Sequence, residues 1–262
     1  MKKQLERTSK KTIVKHNIES RPLVLAEPHI GELTFVEDLY EDIVKLCKDK
    51  NATLHLAGDL LNADDLRNKG MITDEFVVDQ MDDFAQRFLP LDTKLILQVN
   101  HGTKMYNKDI LRQYGLNLTN RWDNIMKSFR LAHGTTVLSP EENEYELHLT
   151  NNKDKVLATG MVVHPAGLAS PNAYLNRVKE LYGSGYDFII PFHFHKKFDA
   201  EIIRQIPNNY FSTTEFKCVP PIIENPVYGR GKYPPIHAGF MVIHKDRDFI
   251  GRERINYEVV QK

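Results

Sequence analysis

The chain is poor in several things, and each scarcity removes a class of protein. Cys47 and Cys218 are its only cysteines, too few and too far apart for a disulfide framework or a thiolate metal site. That usage suits a reducing, cytoplasmic compartment. There is no surplus of either charge: Lys+Arg and Asp+Glu both number 35, so overall charge does not advertise a polyanionic partner, although a local patch remains compatible with it. Long hydrophobic runs are also missing. Residues 1–20 are polar and lysine-rich, which reads as neither a signal peptide nor a membrane anchor. No internal repeat or low-complexity linker interrupts the 262 residues.

What is present is an alternation of short apolar runs and amphipathic stretches. Residues 1–20 form a basic segment, either a mobile tail or an edge strand through Thr12-Ile13-Val14, ahead of one domain over 21–262. Residues 22–27 read as a buried strand. Residues 34–49 place Phe35, Val36, Leu39, Tyr40, Ile43, Val44 and Cys47 at helical spacing, with Thr34 and Glu37 as a capping-box start. A strand over 53–57 ends at Gly58-Asp59. A helix over 73–88 follows with Thr73 as N-cap, and then a strand over 94–99 ends at Asn100-His101. Strand and helix alternating with short connections predict a mostly parallel sheet covered by helices.

The second half predicts a largely helical 108–131, strands at 144–149 and 155–163 joined near Asn151-Asn152, and a helix around 172–182. An apolar strand at 186–190 leads into Phe192-His193-Phe194-His195. Antiparallel strands are expected over 198–262, making a second sheet or closing the first, with a long loop at 218–237 that holds five prolines.

In sheets of this kind ligands collect at the carboxyl ends of the strands. There the sequence places Glu27 and His29, Asp59, Asn100 and His101, His164, and His193 and His195. Alone, each has a plainer explanation: Asp59 after Gly58 suits a turn, and two histidines alternating with phenylalanines suit a strand's polar face. His16, His55, His133, His148, His237 and His244 match no ligand position, and His55 is expected to be a satisfied core residue. The aromatic and cationic run Tyr228–Tyr233 reads as a flexible loop before it reads as a nucleotide grip.

Taken in order, Glu-x-His-x-Gly at 27–31, Gly-Asp at 58–59, Asn-His at 100–101, His164 and His-x-His at 193–195 resemble the calcineurin-like metallophosphoesterase superfamily over roughly residues 22–200. The resemblance implies an α/β fold, a four-layer α/β/β/α sandwich of two mixed sheets flanked by helices. It also implies two divalent ions about 3.5–4 Å apart, neutralising a phosphate ester and presenting a hydroxide in line with the leaving group. In that scheme Asp59 bridges the ions. Glu27, His29 and His195 complete one set of ligands, and Asn100, His164 and His193 complete the other. His101 is the catalytic acid, and Asn62, Thr103 and Lys104 are candidate substrate contacts. Manganese is the first expectation, with iron, zinc and nickel suited to the same donors.

The expected substrate is a phosphodiester in DNA, RNA or a nucleotide, in the manner of small microbial or viral relatives of the repair-exonuclease branch. A phosphomonoester is the alternative, as is a metal-binding, non-catalytic member serving as a binding or scaffold subunit. Four positions depart from the family pattern: Glu27 stands where an aspartate is usual, Val99 and Gly102 flank Asn100-His101 in place of a glycine and an acid, and Phe192 replaces the glycine before His193.

Overall fold

The computed structural model describes residues 11–32, 34–61, 75–99, 117–138, 142–165, 170–181, 185–195, 197–206, 210–224, 237–247, 250–251 and 253–262. Two six-stranded mixed sheets pack face to face. The first holds β2 (Pro22–Ala26), β3 (Thr53–Gly58), β4 (Thr93–Gln98) and β5 (Thr136–Val137), all parallel. It is extended antiparallel by β11 (Gly239–Arg247) and β12 (Glu253–Gln261) in the order β12-β11-β2-β3-β4-β5.

The second sheet holds β1 (Ile13–Asn17), β6 (Glu144–Thr150), β7 (Val156–Val163), β8 (Phe188–Pro191), β9 (Phe198–Ile206) and β10 (Tyr210–Cys218), in the order β1-β6-β7-β8-β10-β9. Of the two expectations for the N-terminal segment, Ile13–Asn17 takes the strand, pairing parallel with β6 at the sheet edge. Residues 198–262 form the expected antiparallel strands but divide between the sheets: β9 and β10 pair with each other beside β8, and β11 and β12 lie beside β2.

Strict alternation along continuous apolar runs explains the layering, because a strand buried on both faces has no polar side to show. Leu23 and Leu25 of β2 face one core, while Val24 and Ala26 face another. Phe240 and Val242 of β11 divide from Met241 and Ile243 in the same way. The first core lies beneath α1 (Glu37–Lys50), α2 (Glu75–Phe88) and α3 (Asn117–His133). The second fills the space between the sheets. A third packs α4 (Pro171–Leu181) on the outer face of the other sheet through Tyr174, Leu175 and Val178. The result is the four-layer α/β/β/α sandwich. Phe84 of α2 anchors the first core, with its ring 5.2 Å from those of Phe88 and Trp122 and 5.7 Å from that of Phe129. Burying an aromatic of this size contributes roughly 1.5–3 kcal/mol.

One local expectation is corrected. The capping box at Thr34 does not form: the helix begins at Glu37 with Val36 as N-cap and no side-chain cap bond. Residues 34–36 instead pair with 222–224. The Val36 N–H donates to Ile222 O, the Glu224 N–H donates to Thr34 O, and Phe35 bridges Ile223. A tertiary ladder has claimed the residues that the local signal assigned to the helix. Thr73, residues 108–116 and Tyr228–Tyr233 lie outside the described residues. The helices begin at Glu75 and Asn117 within those that are described.

A buried polar chain crosses between the sheets. Tyr145 OH lies 3.0 Å from His55 Nδ1, and His55 Nε2 lies 2.8 Å from His16 Nδ1. His16 Nε2 meets Thr53 Oγ1 at 2.5 Å and Ser20 Oγ at 3.0 Å. His55 is fully buried and hydrogen-bonded, as a satisfied core residue should be. Burial lowers the His16 imidazole to about 4, with Lys94 adding to the effect, and holds His55 well below its ordinary value. Both are therefore neutral in the folded protein.

Candidate metal centre

The ends of β2, β3, β7 and β8 point to one place, and the backbone there is tied strand to strand. The Glu27 N–H donates to Ala57 O at 2.8 Å, the His29 N–H to Asp59 O at 2.9 Å and the Ile30 N–H to Leu60 O at 3.0 Å. The segment leaving β2 thus continues to pair with the segment leaving β3. Across the molecule, the Phe192 N–H donates to Val163 O, fixing the chain after β8 against the end of β7.

Four of these tip residues adopt left-handed backbone: Glu27 (φ 52°), His29 (φ 45°), His193 (φ 83°) and His195 (φ 50°). A non-glycine residue in this region costs on the order of 1–3 kcal/mol and persists where the surroundings impose it. The left-handed backbone turns Glu27 and His29 to the same side, where His195 meets them.

Glu27 is fully buried at the centre. Its Oε2 lies 3.2 Å from His29 Nε2 and 3.7 Å from His195 Nε2, and its Oε1 lies 3.7 Å from His164 Nε2. Two sets of ligand atoms arise, each gathered within 4.8 Å: Glu27, His29 and His195, and Glu27, Asp59 and His164. The His29 and His195 rings meet edge to face at 5.2 Å, and the His193 ring stands edge to face on His164 at 4.3 Å. Burial alone would raise the Glu27 carboxyl. The imidazoles of His195, His29 and His164 around it outweigh burial and hold it well below the usual carboxylate range.

The donor set suits a divalent ion. Two buried carboxylates and several imidazoles are a mixed oxygen and nitrogen environment, and Glu27 Oε1 is buried with no hydrogen-bond partner among the described residues. A buried carboxylate oxygen without a donor is costly unless a cation meets it.

Of the seven expected ligands, the structure brings together Glu27, His29, Asp59, His164 and His195, and places His193 against His164. Asn100, His101, Asn62, Thr103 and Lys104 lie outside the described residues. The set of Glu27, His29 and His195 is the one expected. The other joins Asp59 and His164, expected around the second ion, to Glu27. His237 is exposed, and His133 and His148 bond elsewhere, to Leu89 O and Glu146.

Two further residues shape the site, one that motif reading passed over and one that it marked as a departure. Gln80 is buried on α2 with its amide packed where a Cβ on Gly31 would fall, and neither amide atom has a partner among the described residues. The available signal was its position: it shares a helix face with Val77, Met81 and Phe84, so a polar residue interrupts an apolar stripe. The second is Phe192, which packs its ring 5.4 Å from that of His164.

Gly58 is required where it stands. Its φ is +100°, and a Cβ there would collide with Glu27 Oε1 and come within 3.1 Å of Phe192 Cδ2. Gly58→Ala is expected to destabilise the fold by about 1–3 kcal/mol and, by displacing the Glu27 carboxylate, to weaken the site's hold on a divalent ion, probed with Mn2+. Urea denaturation and a manganese titration read the two effects, and wild-type values in both would contradict this packing.

No protein-family model matches this sequence, and no curated protein matches it. Solved structures resemble it in fold. Vps29 of Chaetomium thermophilum is 11% identical, with a TM-score of 0.40 over 94% of this chain and 97% of that one. Vps29 of Entamoeba histolytica complexed with Zn2+ is 10% identical, with a TM-score of 0.37 over 92% and 98%. A metallophosphoesterase from Sphaerobacter thermophilus is 9% identical, with a TM-score of 0.36 over 92% and 87%. The layered α/β/β/α architecture, with Glu27, His29, Asp59, His164 and His195 gathered at its strand ends, is the one that the sequence resemblance implies. Among the described residues, no helix is long and apolar enough to cross a membrane.

Proposed function

We propose that the chain is a dinuclear, metal-dependent phosphoesterase acting on a phosphodiester in a nucleic acid or nucleotide. The observation that carries this reading is the convergence of Glu27, His29, Asp59, His164 and His195 from four strand ends onto one buried point. A bound pair of divalent ions would neutralise phosphate charge and lower the pKa of water. The chain supplies the frame. Glu27, His29 and His195 hold one position, and Asp59 and His164, completed by Asn100 and His193, hold the other. His101, beside Asn100, donates a proton to the departing oxygen, and Asn62, Thr103 and Lys104 contact the substrate. Manganese is the favoured metal. Two cysteines, far apart in the sequence, suit a reducing, cytoplasmic setting.

A second reading, a metal-binding member without turnover that serves as a binding or scaffold subunit, draws support from Gly102, which leaves no acid beside His101 to orient it.

The readings separate by rate. With manganese added, bis-p-nitrophenyl phosphate is expected to be hydrolysed faster than p-nitrophenyl phosphate. The reverse preference would make the protein a phosphomonoesterase. Hydrolysis of neither ester by metal-loaded protein would favour the non-catalytic reading.

A further inference from the structure

We infer that β1 opens from the edge of β6 in acid while the rest of the sandwich stays folded, with His16 as the residue that couples the opening to protons. This coupling is independent of any bound metal. β1 is weakly held: it has five residues and pairs on one side only, with β6. Val14 and His16 are buried, whereas Ile13 and Lys15 are exposed. Val14 is thus the strand's one buried apolar side chain, and the second inward position belongs to an imidazole that reaches His55 of β3 in the other sheet. β3 lies between β2 and β4, so His55 cannot leave without opening the centre of its sheet. Local opening favours segments with few buried apolar contacts, as at the edge.

The buried polar chain has a direction. Tyr145 is fully buried, and among the described residues its hydroxyl meets only His55 Nδ1, so the hydroxyl donates there. His55 then carries its hydrogen on Nε2 and donates it to His16 Nδ1. His16 carries its own hydrogen on Nε2, facing the hydroxyl oxygens of Thr53 and Ser20. Those hydroxyls have carbonyls for their hydrogens, Ser20 O for Thr53 and Asn17 O for Ser20. Every donor is matched while both imidazoles are neutral. A proton added to His16 enters at Nδ1 and confronts the His55 Nε2–H. If His55 changes tautomer to receive it, the Tyr145 hydrogen loses its acceptor instead, and a buried group left unpaired is costly. His16 escapes the conflict by leaving with β1.

The charged groups nearby do not remove it. At the start of β4, Lys94 opposes a proton on His16, and Asp92, paired with Lys94 at 2.7 Å, offsets burial and Lys94 only in part. Glu19, in the 3-10 turn Ile18–Ser20 after β1, is bonded to Lys245 of β11. Glu146 and His148 of β6 stand in register with the exposed Ile13 and Lys15, alternate to the buried positions. Once β1 is open, His16 titrates near 6.5 and no longer at about 4. The open state therefore gains protons as the pH falls through 6.5, and its population rises by roughly 50-fold between pH 7 and pH 4.5. Opening leaves the outer edge of β6 unpaired.

Native-state hydrogen exchange of the full chain tests this, read by mass spectrometry at pH 7 and pH 4.5, with and without urea below the unfolding transition. Rates are corrected for the intrinsic pH dependence of amide exchange. Peptides covering 13–17 are expected to lose protection by roughly 50-fold at the lower pH. Because a small opening exposes little surface, their exchange should barely respond to urea, whereas β3 and β4 should be better protected and urea-sensitive. In His16→Gln the acid response of 13–17 should vanish.

Residues 13–17 that share the protection and urea response of β3 and β4 would overturn the inference, since β1 would then open only when the whole sandwich unfolds. Protection of 13–17 that is unchanged by acid, or an acid response that survives in His16→Gln, would overturn it as well. If circular dichroism shows that His16→Gln does not fold, an NMR titration of the wild-type imidazoles takes its place: a His16 midpoint near 4 supports the coupling, and one near 6.5 would defeat it.

Discussion

Lowering the pH from 7 to 4 is expected to destabilise the fold through His16 by on the order of 3 kcal/mol. The folded pKa of His16 is about 4, below the 6.5 of the unfolded chain, so the unfolded state binds more protons in the interval between them. The contribution is fully present above pH 6.5 and is lost as the pH falls through 6.5 towards 4. His55 acts in the same direction, since burial and the neighbouring His16 both depress it. The cause is geometric. His55 sits between His16 and Tyr145, and among the described residues no carboxylate is hydrogen-bonded to either ring, so a proton added there would be a buried charge opposed by burial and only partly offset by Asp92 acting on His16. Urea denaturation of wild type and His16→Gln at pH 7 and pH 4 measures the effect. The variant should have a visibly flatter pH dependence than wild type. Identical slopes would mean that His16 is not held neutral by its surroundings.

Changing His101 to alanine is expected to reduce turnover by roughly 10²–10⁴-fold, the range that a positioned proton donor supplies, while leaving manganese content unchanged. The expectation follows from the proposed division of labour, in which Asn100 is a ligand and its neighbour is the acid that protonates the leaving oxygen. It carries an internal check. Loss of His101 should be felt most with substrates whose leaving group is basic, such as an alkyl ester, and least with p-nitrophenolate, which leaves without help. Undiminished turnover on both substrates would contradict the assignment. A parallel loss of metal would instead make His101 part of the ligand set.

The sequence carried the framework well because the framework is periodic. Runs such as Leu23-Val24-Leu25 and Leu95-Ile96-Leu97 have no polar face, so they had to be central strands, and the stripes beginning at Leu39 and Val77 had to lie on helices. The strand-end candidates Glu27, His29, Asp59, His164 and His195 were legible for the same reason, since their places follow from where the strands stop.

What escaped depended on contacts distant in sequence. Thr34 and Glu37 satisfy a local capping rule, but pairing with 222–224 prevails, and nothing near residue 34 announces it. The two directions of the tail, β9 and β10 to one sheet and β11 and β12 to the other, turn on which edge each hairpin finds. The link from His16 through His55 to Tyr145 joins residues up to 129 positions apart, beyond any local pattern. The central place of Glu27 was hidden because it arises from a backbone twist at one strand tip and a missing side chain on the next. Reading 27 as a lengthened aspartate was chemically fair, but it left the direction of the extra length undecided.

The proposed chemistry requires the strand-end cluster to hold a pair of cations. The most direct measurement is elemental analysis of the full chain after equilibration with manganese and removal of excess ion by gel filtration. The expected result is a pair of manganese ions retained per chain, with both lost on changing Glu27 and His164 together to alanine in a protein that still folds. Protein that retains no metal, or a double variant that keeps the full complement, would contradict it.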